Sequence, residues 1–532
     1  MGDIFDFIVV GGGSAGCALA GRLSEDAKTS VALIEAGGTG DNWMVTTPFA
    51  LALMVPSKLN NWAFATVPQP GLNGRIGYQP RGKGLGGSSA INAMVYIRGH
   101  RSDYDHWASL GNTGWSFDDV LPIFKRSEDN ADFDGAYHGT GGPLPVNRLR
   151  THNPVHETFL QAAGEAQFRI RDDFNADDHE GLGIYQVTQR NGERWSAARA
   201  YIHPFMASRI NLKVETGAHA TKILFEGKRA VGVEFRRGGE TRQLRARREV
   251  IVSSGAFQSP QLLMLSGIGD SAELARHGIA TTHHLPGVGQ NLQDHPDFIF
   301  AYASDSPHFH GTSLRGIGRL IAGISQYRRE RRGPMTSNVA ECGGFLKTRP
   351  DLAVPDIQLH FGMAMTDDHG RKRHWQTGFS CHVCLLRPKS RGSVALSSAD
   401  PLAPPAIDPN FFGETSDLET MVAGFKTTRR LMDTPALKAL QTKDMFTADV
   451  HSDDDIRAVL RARVDTVYHP VGTCRMGIDP MAVVDPKLKV HGLEALRVVD
   501  ASIMPTLIGG NTNAPSIMIG EKAAEMIKAE MH

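Results

Sequence analysis

Phe5 to Val10 is a short apolar run that stops at glycines, and from Cys17 to Leu23 apolar residues return at helical spacing. Ser30 to Glu35 is a second β-rich run, so the chain opens as strand, helix, strand. Between Asn60 and Asn92 periodicity fades into Pro and Gly, which predicts a long extended segment wrapped around a ligand. Strands are predicted at Leu212 to Glu215, Ala220 to Phe225, Ala230 to Arg236 and Val250 to Ser253, with a turn at Glu226-Gly227-Lys228. Later β-rich runs at Phe298 to Tyr302, Asp356 to Phe361, Phe379 to Leu386 and Gly392 to Leu396 predict a second, sheet-containing domain. Asp417 to Met432, Asp453 to Arg463 and Ala514 to Met531 read as helices.

Size and charge narrow the classes. A chain of 532 residues exceeds the ~250 to 300 at which one core stops growing, so more than one domain is expected. Lys plus Arg (57) equals Asp plus Glu (57), without the basic excess of a nucleic-acid binder. Five cysteines in a chain this long make no disulfide framework, which points to a reducing cytoplasm. Asp3 and Asp6 stand where a secretory leader would be basic, and the apolar stretch Phe49 to Pro56 is far shorter than the ~18 to 20 residues that span a bilayer. Arg315, Arg319, Arg328, Arg329, Arg331 and Arg332 surround Leu320, Ile321, Ile324 and Tyr327 in a helical pattern. That segment is read as a solvated basic helix, with peripheral docking at the inner face of the cell membrane as the alternative.

The glycines after the first strand carry chemistry. In Val10-Gly11-Gly12-Gly13-Ser14-Ala15-Gly16, Gly11 permits a tight turn, Gly13 lets backbone approach a pyrophosphate, and Gly16 lets helix pack on strand. Phosphate then meets the free amides of the helix start. Glu35 lies 19 residues beyond Gly16, where its carboxylate can accept from an adenosine ribose and repel a 2′-phosphate. These features do not choose between NAD and FAD. Arg81-Gly82-Lys83-Gly84-Leu85-Gly86-Gly87-Ser88-Ser89 reads as a second backbone cradle for an anion or a flavin, with Ile91 to Val95 as a turn feeding a helix N-terminus.

Other candidates fall away. Cys381 and Cys384 are separated by an odd number of positions in a predicted strand and therefore face opposite ways, so no metal is implied. Cys474 is read as a small packing residue. A hydrolytic serine is not adopted: the Gly-x-Ser-x-Gly spacing occurs at Gly12 to Gly16, inside the glycine turn read as a phosphate cradle.

Gly82 to Asn92 with the segment through Asp105 resembles the first signature of the glucose-methanol-choline (GMC) oxidoreductases, and Gly255 to Gly269 resembles the second. The resemblance implies a mixed α/β fold: a Rossmann-type FAD-binding domain and a substrate domain built on a mostly antiparallel sheet. The implied division is 1–155, 206–296 and 461–532 for the FAD domain, and 156–205 and 297–460 for the substrate domain. It makes Gly11, Gly13 and Gly16 the pyrophosphate holders and Glu35 the ribose acceptor. Gly87, Asn92, Ala93, Met94 and Val95 would run along the isoalloxazine, with Asp500 and Ala501 at the pyrophosphate and ribityl region. Ser14, Ala15, Ala36, Trp62, Arg81, Ala220, Asn511 and Thr512 complete the expected cofactor contacts. His469, in Tyr468-His469-Pro470, would be the catalytic base and Asn513 its partner, although Asn511-Thr512-Asn513 before Ala514-Pro515 also suits a helix cap. Ile91 stands where some members carry a flavin-linking His, so the FAD is expected to be non-covalent.

The implied reaction is oxidation of a primary alcohol to an aldehyde by hydride transfer to flavin N5. An alcohol of pKa ~16 and an imidazole of ~6.5 differ by about 9.5 units, or about 13 kcal/mol, so a free alkoxide is a poor resting intermediate. Proton loss accompanying hydride departure avoids it, and flavin reduction is then expected to rise with pH through one ionisation near neutrality. Thr336 to Glu341 and Gly509 to Pro515 resemble the branch acting on aliphatic alcohols more than the choline branch. Choline would need a cation site of aromatic faces or a carboxylate, for which Glu341 is a candidate unless it lies on the surface. Electrons would pass to a quinone or another non-oxygen acceptor; the alternatives are a choline or amino-alcohol dehydrogenase and an oxidase making hydrogen peroxide.

Overall fold

Parallel pairing of Leu212–Thr216, Val31–Glu35, Ile4–Val10 and Glu240–Val252 builds one half of a seven-stranded sheet, in the computed structural model describing residues 4–311 and 313–531. Asp3 and the side chains of Leu314 and Arg315 lie outside the described residues. Leu496–Val498 adds a further parallel strand beside Val250 to Val252. These strands are covered on both faces, which is why Phe7 to Val10 and Val31 to Ile34 are continuously buried and apolar rather than alternating. The other half, Ala218–Glu226 and Arg229–Arg237, is antiparallel and alternates between buried and exposed positions.

Two helices cover the first strand's end. Ser14–Leu23 begins three residues earlier than its apolar pattern, because polar Ser14 and small Ala15 open the helix that the glycines launch. It packs on the long C-terminal helix Asn513–Met531, and contact is closest at Gly520, where a Cβ would lie 2.3 Å from the Ala15 carbonyl oxygen.

A second sheet of six strands is antiparallel throughout, ordered Ala340–Leu346, Ile357–Gly362, Gly378–Leu385, Pro296–Ala303 and Lys443–Asp444, with Asp465–Thr466 also on Pro296–Ala303. This is the mostly antiparallel sheet that the resemblance implied. The strand period of two divides Ile357–Gly362: Ile357, Leu359 and Phe361 join an apolar core with Phe298, Phe300 and Phe425, whereas Gln358 and His360 turn away from it. The same rule separates Cys381, packed in that core, from Cys384, packed with Phe345 and Val467. Behind the core lie Thr415–Met432 and Asp453–Arg463, close to their predicted limits.

One local expectation fails. Ile91 to Val95 does not feed a helix: Gly87–Ala90 is a 3-10 turn, Met94 adopts φ +57°, Val95 bridges to Val187, and the next helix is Arg101–Ser109. The bridge to Val187 draws the segment into extended pairing that a helix would forfeit. The stretch from Asn60 to Asn92 is otherwise as irregular as its composition foretold, with one short strand pair, Phe64–Ala65 with Tyr78–Gln79.

Candidate active site

The fingerprint loop and the 81–95 segment face each other across a cavity of about 430 Å³. Gly11 has φ +105°, and a Cβ there would sit 2.4 Å from the Ser253 carbonyl oxygen. Gly87 approaches so closely that its Cβ would lie 2.7 Å from Gly13 Cα. Glu35 ties the loops together, accepting from the amides of Gly12 (2.9 Å), Gly37 (2.7 Å) and Gly84 (3.0 Å). Burial raises its pKa against the pull of those amides. Asp500 accepts from the amides of Gly255 and Ser502 and from the Ser259 hydroxyl, again with burial raising its pKa.

Gly11, Gly13, Ser14, Ala15, Glu35, Ala36, Trp62, Arg81, Gly87, Asn92, Ala93, Met94, Val95, Ala220, Asp500, Ala501, Asn511 and Thr512 all line this cavity, as do His469 and Asn513. Gly16 does not. A Cβ on it would meet the Gly11 carbonyl oxygen at 2.0 Å, so Gly16 serves the close approach of helix to turn.

At the histidine end, hydrogen bonds assign the tautomers. His295 Nε2 lies 3.1 Å from the Leu386 carbonyl oxygen, which can only accept, so Nε2 carries the proton and His295 Nδ1 is a bare acceptor. His469 Nδ1, 3.0 Å from that atom, must therefore donate. The lone pair of His469 is left on Nε2. Burial first, then the neighbouring His295, His360 and Arg81, hold the His469 pKa well below its ordinary value, so the ring is neutral at pH 7.

The backbone that carries this ring is strained. Tyr468 adopts φ +78°, and Met94 (+57°) and Val339 (+68°) on the same cavity wall are also in a region that L side chains rarely enter. Tyr468 is held at both ends: its amide donates to Thr466 Oγ1 (2.6 Å) and its carbonyl accepts from Arg81 Nη2 (2.7 Å). Asp294 fastens the next link, one oxygen accepting from the amides of His469 and His295, each at 2.9 Å. Burial pushes the Asp294 pKa up to about 6.

The pairing expected for Asn513 belongs to Asn511. Asn511 Nδ2 is 3.2 Å from His469 Nε2, whereas Asn513 Oδ1 accepts from Ser14 Oγ at 2.7 Å where the C-terminal helix begins. Helix geometry fixes Asn513 at that end, and only the preceding loop reaches the imidazole. Glu341 is neither a surface residue nor a cavity residue: it is fully buried and accepts from Thr151 Oγ1 (2.9 Å) and pairs with His156 Nε2 (2.6 Å).

Sequence reasoning missed His295, His360, Asp294 and Arg194. Arg194 Nη1 donates to Asn92 Oδ1 at 2.8 Å and to Asn92 O at 2.6 Å, fixing a residue of the cradle from behind. Gln293-Asp294-His295 held a chemical signal, an acid beside a histidine, but its position next to His469 depends on sheet pairing 174 residues apart.

Residues 5–297 and 388–520 match the two models described as GMC oxidoreductase. The chain belongs to the GMC oxidoreductase family. It is 49% identical over 98% of its length to alcohol dehydrogenase [acceptor] of Pseudomonas putida, covering 96% of that protein. To human mitochondrial choline dehydrogenase it is 42% identical, over 99% of this chain and 90% of that one. Among solved structures, a formate oxidase of Aspergillus oryzae superposes with a TM-score of 0.92 at 30% identity, covering 99% of both chains. As a GMC oxidoreductase the chain is an FAD-dependent oxidoreductase.

The residues present fit that cofactor. The helix Ser14–Leu23 starts without a side-chain cap, leaving amide donors for a pyrophosphate at the glycine turn. Arg81 lines the cavity and forms no ion pair among the described residues; burial lowers its pKa to about 10, so it stays cationic at neutral pH and offers its charge to an anionic group. Asn338 Oδ1, also on the wall, is buried without a hydrogen-bond partner among the described residues.

Proposed function

We propose that this GMC oxidoreductase oxidises an aliphatic primary alcohol to the aldehyde and passes the electrons to a quinone or another non-oxygen acceptor. The observation that carries the reading is the bare Nε2 of a neutral, buried His469, set beside the Asn511 amide in a largely apolar cavity. Gly11, Gly13, Arg81 and Gly87 would hold FAD without a covalent link, since buried Ile91 offers no nucleophile. FAD, when bound, takes up the hydride that leaves the alcohol carbon.

His469 Nε2 takes the hydroxyl proton as the hydride departs, avoiding a free alkoxide, and Asn511 donates to the oxygen while charge develops on it. His295 holds the base in the required tautomer. Asn513 instead steadies the helix start beside Ser14.

Leu51, Ala52, Val55, Ala364 and Met365 line the wall that would receive the substrate's chain. Among the described residues the carboxylates on the cavity wall are Glu35 and Asp500, both engaged with glycine amides, and Glu341 is turned elsewhere, so none of these is free for a quaternary ammonium. The acceptor would be met at a membrane surface through the helix Leu314–Glu330, where Ile321 is 65% exposed among arginines. No helix of the described residues is long and apolar enough to cross a membrane.

Anaerobic bleaching of bound FAD by a panel of alcohols tests the reading. Aliphatic primary alcohols should bleach it faster than choline, with little peroxide formed on turnover in air. Choline as the preferred reductant, or stoichiometric peroxide, would replace it with the alternative dehydrogenase or oxidase. Pelleting with vesicles of anionic lipid tests the docking; no binding removes it.

A further inference from the structure

Behind Asn511 lies a second chain of hydrogen bonds whose direction is also set by a backbone carbonyl. Tyr185 Oη donates to the Leu359 carbonyl oxygen at 2.6 Å, because that oxygen can only accept. The hydroxyl oxygen is then left to accept, and Gln358 Nε2 donates to it at 3.2 Å. The same Nε2 lies 3.0 Å from Asn511 Oδ1 and gives it the second N–H. With its oxygen so held, Asn511 must turn its NH2 toward His469 Nε2 at 3.2 Å and His360 Nε2 at 3.4 Å.

We propose that Gln358, itself oriented by Tyr185, is a positioning residue that keeps the Asn511 amide donor aimed at the alcohol oxygen. A flipped Asn511 would set its oxygen against the lone pair of His469 Nε2 and its NH2 against the Gln358 donors. Only one orientation satisfies both ends.

Two further observations support a purpose beyond packing. Gln358 and Tyr185 are fully buried, yet Gln358 Oε1 has no hydrogen-bond partner among the described residues, an arrangement that stability alone does not favour. Gly343, opposite His360 in the sheet, leaves the space that Tyr185 needs, since a Cβ there would lie 2.7 Å from the tyrosine hydroxyl.

This assignment rests on the reading of His469 as base and Asn511 as donor. The test is a double-mutant cycle in the holoenzyme of Gln358→Leu and Asn511→Ala, with Tyr185→Phe as a milder companion should the leucine disturb folding. Rates of anaerobic FAD reduction by hexanol are measured with bound flavin per chain, and calorimetry follows hexanoate, a non-reacting oxygen ligand. Gln358→Leu should slow reduction about 10-fold and weaken hexanoate similarly, and Tyr185→Phe should act in the same direction by about 3-fold, with flavin content unchanged. In the Asn511→Ala background Gln358→Leu should cost nothing more. Wild-type rates in Gln358→Leu and Tyr185→Phe, or a Gln358 effect that persists without the Asn511 amide, overturn the positioning role while leaving the base and donor intact. A wild-type rate in Asn511→Ala alone overturns the donor reading and the positioning role with it.

Discussion

The Nδ1 atoms of His295 and His469 lie 3.0 Å apart with their rings at 90°. Two like atoms at that distance need one proton between them, and Leu386 decides which ring supplies it. Removing His295 frees His469 to place its proton on Nε2, where it cannot act as a base. His295→Ala should lower kcat/KM about 10- to 100-fold, the effect typical of losing the group that orients a histidine. His295→Asn, which keeps an acceptor, should recover part of it. Steady-state kinetics with bound flavin counted per chain check this, and equal losses in both variants would contradict the tautomer argument.

Burial changes the pH dependence expected from sequence. A histidine base near its ordinary pKa would give a rising limb near neutrality, but His469 is buried and faces His295, His360 and Arg81, which hold its pKa well below that. The base is active when neutral, so activity is lost as pH falls through the lowered value. The limb in kcat/KM should therefore lie on the acid side of ~6.5, with a plateau through pH 7. His469→Ala should abolish the limb and most of the rate. A limb centred at or above pH 7 would show that the base is a different group.

Asn511 and Asn513 differ by two positions and by what they hold. Asn511→Ala removes the amide beside His469 Nε2 and should cut FAD reduction about 100-fold with flavin retained. Asn513→Ala removes a bond to Ser14 at the helix start and should instead lower thermal stability by about 1 kcal/mol, with a modest change in rate. Stopped-flow reduction and calorimetric melting separate the two; the reverse pattern would return the role to Asn513.

These two asparagines mark how far the sequence could be read. Strand, glycine turn and helix at Phe5 to Leu23 were legible because local periodicity and steric need agree there. The cavity's cofactor wall followed from the same glycines and from the family signatures. The histidine end was legible only at His469. His295, His360 and Gln358 sit on or beside strands of the second sheet, and what brings them to Asn511 is register across strands that no local pattern reveals. The helix wrongly expected after Ile91 shows the same limit: its pairing with Val187 is long-range and overrides the local turn signal.

Several buried histidines also bear on stability. Burial holds His179, His295 and His360 down to about 3, so each stays neutral in the fold where the unfolded chain, near 6.5, already binds a proton. Below pH 6.5 the unfolded state therefore gains protons that the native state refuses, and stability falls as pH drops, by up to about 1.4 kcal/mol per pH unit for each group. Asp294 opposes this: its folded pKa of about 6 exceeds the unfolded ~3.9, so it stabilises the fold as pH falls through that window. Buried Glu35, Asp297 and Asp500 are raised in the same sense as Asp294. His100, His219, His310 and His469 are lowered along with the three histidines, and Asp103 and Glu128, held low by their partners, also lose stabilisation toward acid, so the balance is a net loss. The holoenzyme's Tm should fall steeply between pH 6.5 and pH 5. His179 offers the cleanest check, because it stacks on Phe345 at 4.1 Å with Nε2 unpartnered and lies outside the cavity. His179→Phe should keep the stack, raise Tm at pH 5 more than at pH 7.5, and so flatten the profile; an equal shift at both pH values would refute the linkage.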